Sequence, residues 1–156
     1  MENCNMFCYQ CQETAGNKGC TKVGVCGKSA DLAKMQDLLV YVTKGLSEVT
    51  TRLRKEGKAV SKEINHYITL NLFTTITNAN FDDDIFYVRV RETLAIKNRL
   101  IEELASKEGL TEAAIWGIDD KVHDISEVNA VLKAKSESKE VGVLSTANED
   151  VRSLRE

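Results

Sequence analysis

Apolar residues recur at steps of three and four from Asp31 onward: Leu32, Met35, Leu38, Leu39, Val42, Leu46, Val49 and Leu53. That spacing is one stripe of a long amphipathic helix. Ser29 suits its N-cap and Gly57 its end. A second stripe runs through Val60, Ile64, Tyr67, Ile68, Leu72 and Ile76 and stops near Asn78-Ala79-Asn80. A third follows Asp82-Asp83-Asp84, whose carboxylates suit a helix N-terminus. It carries Ile85, Val88, Ala95, Ile96, Leu100 and Leu104, with Gly109 as its C-cap. Short connections between long helices make neighbours antiparallel. The pattern therefore predicts an all-α protein with a three-helix bundle over residues 30–108.

The flanks read differently. Residues 1–29 form a cysteine-rich loop, with Gly16, Gly19, Gly24 and Gly27 among the cysteines, too short and polar to bury a core. Residues 109–156 read as a connector. Thr111 caps a short helix through Trp116, an aromatic anchor onto the bundle, and Gly117 ends it. Ser126 caps another through Leu132. Lys133–Glu140 is a polar link, Val141-Gly142-Val143-Leu144 a brief extended run, and Asn148-Glu149-Asp150 a fresh helix start. The chain stops within two turns of that start, and so short a helix is marginal alone. The end reads as a cut inside a larger protein, leaving Val151 and Leu154 as a face that a second copy can cover.

Composition sharpens this picture. There is no proline, which favours long uninterrupted helices. Net charge is −3 with both signs interleaved, so the basic footprint of a nucleic-acid binder is missing. No apolar run reaches the length of a membrane span, and the N-terminus lacks a signal-peptide profile. The expectation is a cytoplasmic protein, where cysteines serve as metal ligands or catalytic groups more often than in disulfides. Phosphate-binding glycine fingerprints and nucleophile elbows are absent. His66 and His123 have no partner ligand at helical spacing, and Asp82-Asp83-Asp84 lacks EF-hand spacing, so surface and capping roles fit them better.

The chemistry lies in the head. All five cysteines fall in the first 26 residues, four of them spaced Cys8-x2-Cys11-x8-Cys20-x5-Cys26. Two thiolates at C-x-x-C grip one centre from adjacent backbone turns, and two more from a glycine-containing return complete a sulfur set. Four cysteines serve Zn²⁺ or an iron–sulfur cluster, and a redox dithiol is the third reading. A zinc ribbon pairs two C-x-x-C knuckles, whereas this chain has one. Uneven loops of two, eight and five residues fit the separated corners of a cubane. Cys4 offers a second register through its C-x3-C spacing to Cys8; otherwise it is a spare thiol.

Three segments carry a resemblance. Met6-Phe7-Cys8-Tyr9-Gln10-Cys11-Gln12-Glu13-Thr14, Gly19-Cys20-Thr21 and Gly24-Val25-Cys26-Gly27-Lys28 resemble the N-terminus of hybrid cluster proteins, also called hydroxylamine reductases or prismane proteins. The likeness continues through Leu72–Asp82, Val141–Leu144 and Glu149–Glu156. The resemblance implies a [4Fe–4S] cluster on Cys8, Cys11, Cys20 and Cys26, as in the short-spaced branch of strict anaerobes; a wider-spaced branch carries [2Fe–2S]. It implies a parent enzyme that reduces hydroxylamine to ammonia, with a nitric oxide reductase role in nitrosative stress also proposed for the family. Its hybrid iron–sulfur–oxygen cluster lies in later domains, for which this chain, without a cysteine after Cys26, has no ligands. No catalytic residue is therefore assigned here. The implied partners are the rest of the parent enzyme, through a second bundle and catalytic domains, and an external redox donor. Zinc remains a substitute that vacated thiolates would take.

Overall fold

Ser29 starts the first helix. Its Oγ accepts the Leu32 N–H at 3.1 Å, and α1 (Ala30–Lys55) then runs 26 residues, with Arg52, Arg54 and Lys55 facing its carbonyl end. Gly57 reverses the chain at φ +78°. The computed structural model describes residues 4–76 and 81–143, together with 146, 148, 150, 151 and 154. Ser61 caps α2 (Lys62–Ile76), its Oγ accepting from Ile64 N–H at 3.3 Å. Asp82 caps α3 (Asp83–Ile101) by accepting the Asp84 N–H at 3.0 Å. The expected stop at Asn78-Ala79-Asn80 lies outside the described residues.

α1 is the wall against which the other helices pack, and α1, α2 and α3 form the expected bundle. One core joins Leu38, Leu39 and Val42 of α1 to Phe86, Val90 and Leu94 of α3. The other joins Leu46, Val49 and Leu53 to Leu100, Ile101 and Leu104, with Val60, Ile64 and Ile68 packed at its edge. Each such buried side chain contributes about 1.5–3 kcal/mol.

The buried face of α3 departs from its apolar pattern in the first half of the helix, whereas the predicted Leu100 and Leu104 are buried and Ile96 packs at the core edge. Ile85 and Val88 remain 40% and 41% exposed, while Phe86, Val90, Thr93, Leu94, Lys97, Leu100 and Ile101 face inward. That stripe contains a lysine, which a search for apolar positions rejects. Lys97 is buried because its Nζ donates to the carbonyls of Ala113, at 3.3 Å, and Trp116. Burial pushes its ammonium down to about 8. α3 also ends at Ile101, so Leu104 lies in the following turn and Gly109, at φ +73°, is a loop residue rather than a C-cap.

α2 likewise departs from its stripe: Leu72 and Ile76 are exposed, and its fully buried residues are Asn71 and Thr75. Asn71 Nδ2 donates to Thr43 Oγ1 of α1 at 3.2 Å and to Thr93 Oγ1 of α3 at 2.8 Å. Its Oδ1 accepts from Arg89 Nη1 at 3.1 Å, so one amide fastens all three helices.

The last third is more helical than expected. α4 (Glu112–Ile115) is a single turn, with Trp116 as its C-cap. Thr111 gives its N–H to Glu48 of α1, at 3.1 Å, and its hydroxyl also reaches Glu48 rather than capping α4. Trp116 does anchor this turn, meeting Tyr41 edge-on with centroids 6.4 Å apart. α5 (Ile125–Ser136) is capped by Asp124, not Ser126: Asp124 Oδ1 accepts the N–H groups of both Ser126, at 2.8 Å, and Glu127, at 3.2 Å. It continues four residues past Leu132 because Lys135 has a berth, 5.1 Å and 5.2 Å from the Tyr41 and Trp116 ring centres and 2.7 Å from Glu112. Val141 and Val143 are buried but lie in turns rather than an extended run, and Leu144 is outside the described residues. Asp150, Val151 and Leu154 are helical, with Val151 and Leu154 exposed. Among the described residues no helix is long and apolar enough to cross a membrane.

Candidate metal centre

The head folds as a return of chain around one antiparallel bridge. Cys8 N–H donates to Cys20 C=O at 3.1 Å and Cys20 N–H to Cys8 C=O at 2.9 Å. Both thiols are buried against Met6 and the first turn of α1, at Ala30 and Ala33. Gly19 makes the return: its φ is +112°, and a Cβ there would sit 2.4 Å from the Phe7 ring. None of the five cysteines is in a disulfide.

Two polar side chains tie the other cysteines to that pair. Thr14 Oγ1 donates to Cys8 C=O at 3.0 Å and lies 3.8 Å from Cys20 Sγ, while its N–H closes a turn on Cys11 C=O at 3.2 Å. Lys28 reaches back from the Cys26 side. Its Nζ donates to Cys8 Sγ at 3.4 Å and to Gln10 Oε1 at 3.1 Å, and the residue is 2% exposed. Cys26 rides a tight turn closed by Gly27 N–H to Gly24 C=O and Gly24 N–H to Lys28 C=O, each 2.8 Å. Gly24 is required there, since a Cβ would meet Cys26 Sγ at 3.1 Å and Lys28 Cβ at 2.9 Å. Cys26 is exposed and Cys11 partly so, giving the loop a buried and an accessible side.

Cys4 stands apart. Its Sγ lies 3.3 Å from Met6 C=O and lines a cleft of about 590 Å³ between the head, the start of α1 and residues 136–143. Cys8, Cys11, Cys20 and Cys26 do not line that cleft. His66 and His123 are exposed and remote from the head in sequence. Among the described residues no three His, Cys, Asp or Glu side chains converge as one metal ion requires.

The donor set fits a negatively charged soft centre. Four thiols are the ligands of an iron–sulfur cluster, and a buried ammonium is costly without an anion beside it. Lys28 supplies that ammonium against the Cys8 sulfur. Counting ligand types along the sequence misses Lys28, Thr14 and Gln10. The available signal was a cation placed between the last cysteine and the Ser29 cap, in a loop with few carboxylates.

Bundle and loop together define an α-helical domain that carries a four-cysteine loop at its head. The chain matches the model of the Prismane/CO dehydrogenase family over residues 6–156 and belongs to that family, which implies an iron–sulfur protein. It is 57% identical, over 96% of its length, to the hydroxylamine reductase of Desulfovibrio desulfuricans. It is 48% identical over 97% of its length to hydroxylamine reductase 2 of Clostridium acetobutylicum, and 46% over 97% to the hydroxylamine reductase of Acetivibrio thermocellus. The chain spans 26%, 29% and 26% of those three relatives.

Proposed function

We infer that this chain is the N-terminal electron-transfer domain of a cytoplasmic hydroxylamine reductase, with a [4Fe–4S] cluster on Cys8, Cys11, Cys20 and Cys26. The observation that carries the reading is the buried Lys28 ammonium against Cys8 Sγ, within a loop where backbone hydrogen bonds pair Cys8 with Cys20 and the Thr14 N–H closes a turn on Cys11 C=O. When bound, the cluster supplies one-electron storage. The chain's own residues do the rest. The Cys8–Cys20 bridge fixes two thiolates in a dry site, and the Cys11 and Cys26 turns leave an accessible edge for a redox donor. The parent reaction takes two electrons and two protons, breaks the N–O bond of hydroxylamine, and releases ammonia and water; nitric oxide reduction is a second activity of the same proposed enzyme. The hybrid cluster that performs it belongs to the longer part of the relatives, so this chain alone should carry electrons without turning over substrate.

The test is anaerobic reconstitution of the chain followed by metal and sulfide analysis. The expected result is about four irons and four sulfides per chain, with absorption near roughly 400 nm that dithionite bleaches. Serine in place of Cys8, Cys11, Cys20 or Cys26 removes the cluster, and Cys4→Ser does not. One zinc and no sulfide would replace this reading with a structural Zn–Cys4 staple.

A further inference from the structure

Lys28 is a buried charge beside the four cysteines that is not itself one of the ligands. Among the described residues its Nζ has no carboxylate within its hydrogen-bonding shell; its partners there are a cysteine sulfur and a neutral amide, Gln10 Oε1. A cation in so dry a place costs several kcal/mol unless an anion compensates it. The sulfur it touches belongs to Cys8, the buried member of the C-x-x-C pair, at the α1 N-terminus where Ala30 and Ala33 pack against the loop. Lys28 is therefore set where negative charge at the four thiolates would be felt in a low dielectric, with little water to screen it.

We propose that Lys28 is a positioning residue that raises the reduction potential of the head centre by donating a charged hydrogen bond to Cys8 Sγ. This rests on the reading of the head as a [4Fe–4S] site. A tetrathiolate cubane carries net negative charge, and one added electron makes it more negative. That electron enters from the reductant, and no bond breaks. A fixed cation at 3.4 Å stabilises the reduced form more than the oxidised form. Gln10 holds the ammonium on its aim, and the Gly24–Gly27 turn brings Lys28 back over the loop.

The experiment is an anaerobic redox titration of the full 156-residue chain, followed by electron paramagnetic resonance. It compares wild type with Lys28→Met, Lys28→Gln and Lys28→Arg, each assayed for iron and sulfide. At the poise where wild type is half reduced, the neutral variants should show a reduced-to-oxidised ratio at least about tenfold lower, or about 59 mV for one electron. Lys28→Arg should restore the wild-type ratio. Neutral variants that hold a full cluster at the wild-type potential would overturn the proposal. So would neutral variants that bind no iron while Lys28→Arg binds it, since Lys28 would then serve loop folding alone. Wild type that takes up neither iron nor sulfide would instead remove the cluster reading, and this inference with it.

Discussion

Replacing Gly45 by alanine sets two effects of opposite sign against each other. Gly45 lies mid-way along α1, where alanine normally gains about 1 kcal/mol from helix propensity. Here α4 crosses directly over it. A Cβ at Gly45 would stand 2.0 Å from the Ala113 carbonyl oxygen, 2.6 Å from its carbon and 3.0 Å from Ala114 N. These are backbone atoms and cannot rotate away, so α4 must lift by more than an ångström. Lifting it draws Ala114 from its fully buried seat in the second core. It also stretches the Lys97 hydrogen bonds to Ala113 and Trp116, exposing a buried ammonium to an unmet demand. Overpacking alone costs about 1–3 kcal/mol, and a buried polar group losing its partners costs about 1–3 kcal/mol more. The net expectation for Gly45→Ala is a loss of about 1–5 kcal/mol, measured by urea unfolding of the metal-free chain followed by circular dichroism. Trp116 fluorescence should change in the folded state as its contact with Tyr41 loosens. A variant as stable as wild type, or more so, would refute the close approach of α4 to α1.

Other predictions follow from the same contacts. Asn71→Ala should cost about 2–3 kcal/mol in the same assay, because it strips one amide from Thr43, Thr93 and Arg89 at once and leaves a void between three helices. Lys97 gives a pH signature: its pKa is about 8 folded and near 10.5 unfolded, so between those values the unfolded chain holds the extra proton. Stability should thus rise from pH 8 to 10, by up to about 1.4 kcal/mol per unit, and Lys97→Met should abolish that rise in unfolding curves taken across the range. Above pH 10, Tyr67 acts in the opposite sense: burial, then its hydrogen bond to Glu92, holds its phenol up at about 12, so stability falls as the unfolded phenol ionises. Gly19→Ala would force a side chain into the Phe7 ring at a left-handed φ, and iron affinity should drop by roughly 10- to 100-fold in anaerobic chelator competition, with helical content kept.

The long helices were legible because their caps and periods are local. Ser29, Asp82 and the 26-residue stripe of α1 all follow from residues a few positions apart. The faces of α2 and α3 were not, because their inward positions are Asn71, Thr93 and Lys97, polar residues whose partners come from other helices. α5 was cut short for a related reason: Lys135 looks like linker until Tyr41 and Trp116 are seen beneath it. At the head, spacing pointed to a four-cysteine set and left Cys4 as a second register or a spare thiol. It could not reveal which would be buried, nor that a lysine two residues past Cys26 would fold back on Cys8, since both depend on the bridge and on the Gly24–Gly27 turn.

The length of α1 has a consequence for traffic to and from the head. At about 1.5 Å per residue, its 26 residues make a rod about 39 Å long. The cysteine loop sits against its first turn, at Ala30 and Ala33, and the second core gathers toward its far end, around Leu46, Val49 and Leu53. Electron tunnelling fades exponentially with distance, and the helices between these ends carry no relay of their own in the proposed scheme. A partner docked on the far end of the bundle would be electrically silent. Under the proposed electron-transfer role, donor and acceptor alike would have to meet the chain where α1 begins, which would confine productive encounters to one end of that helix.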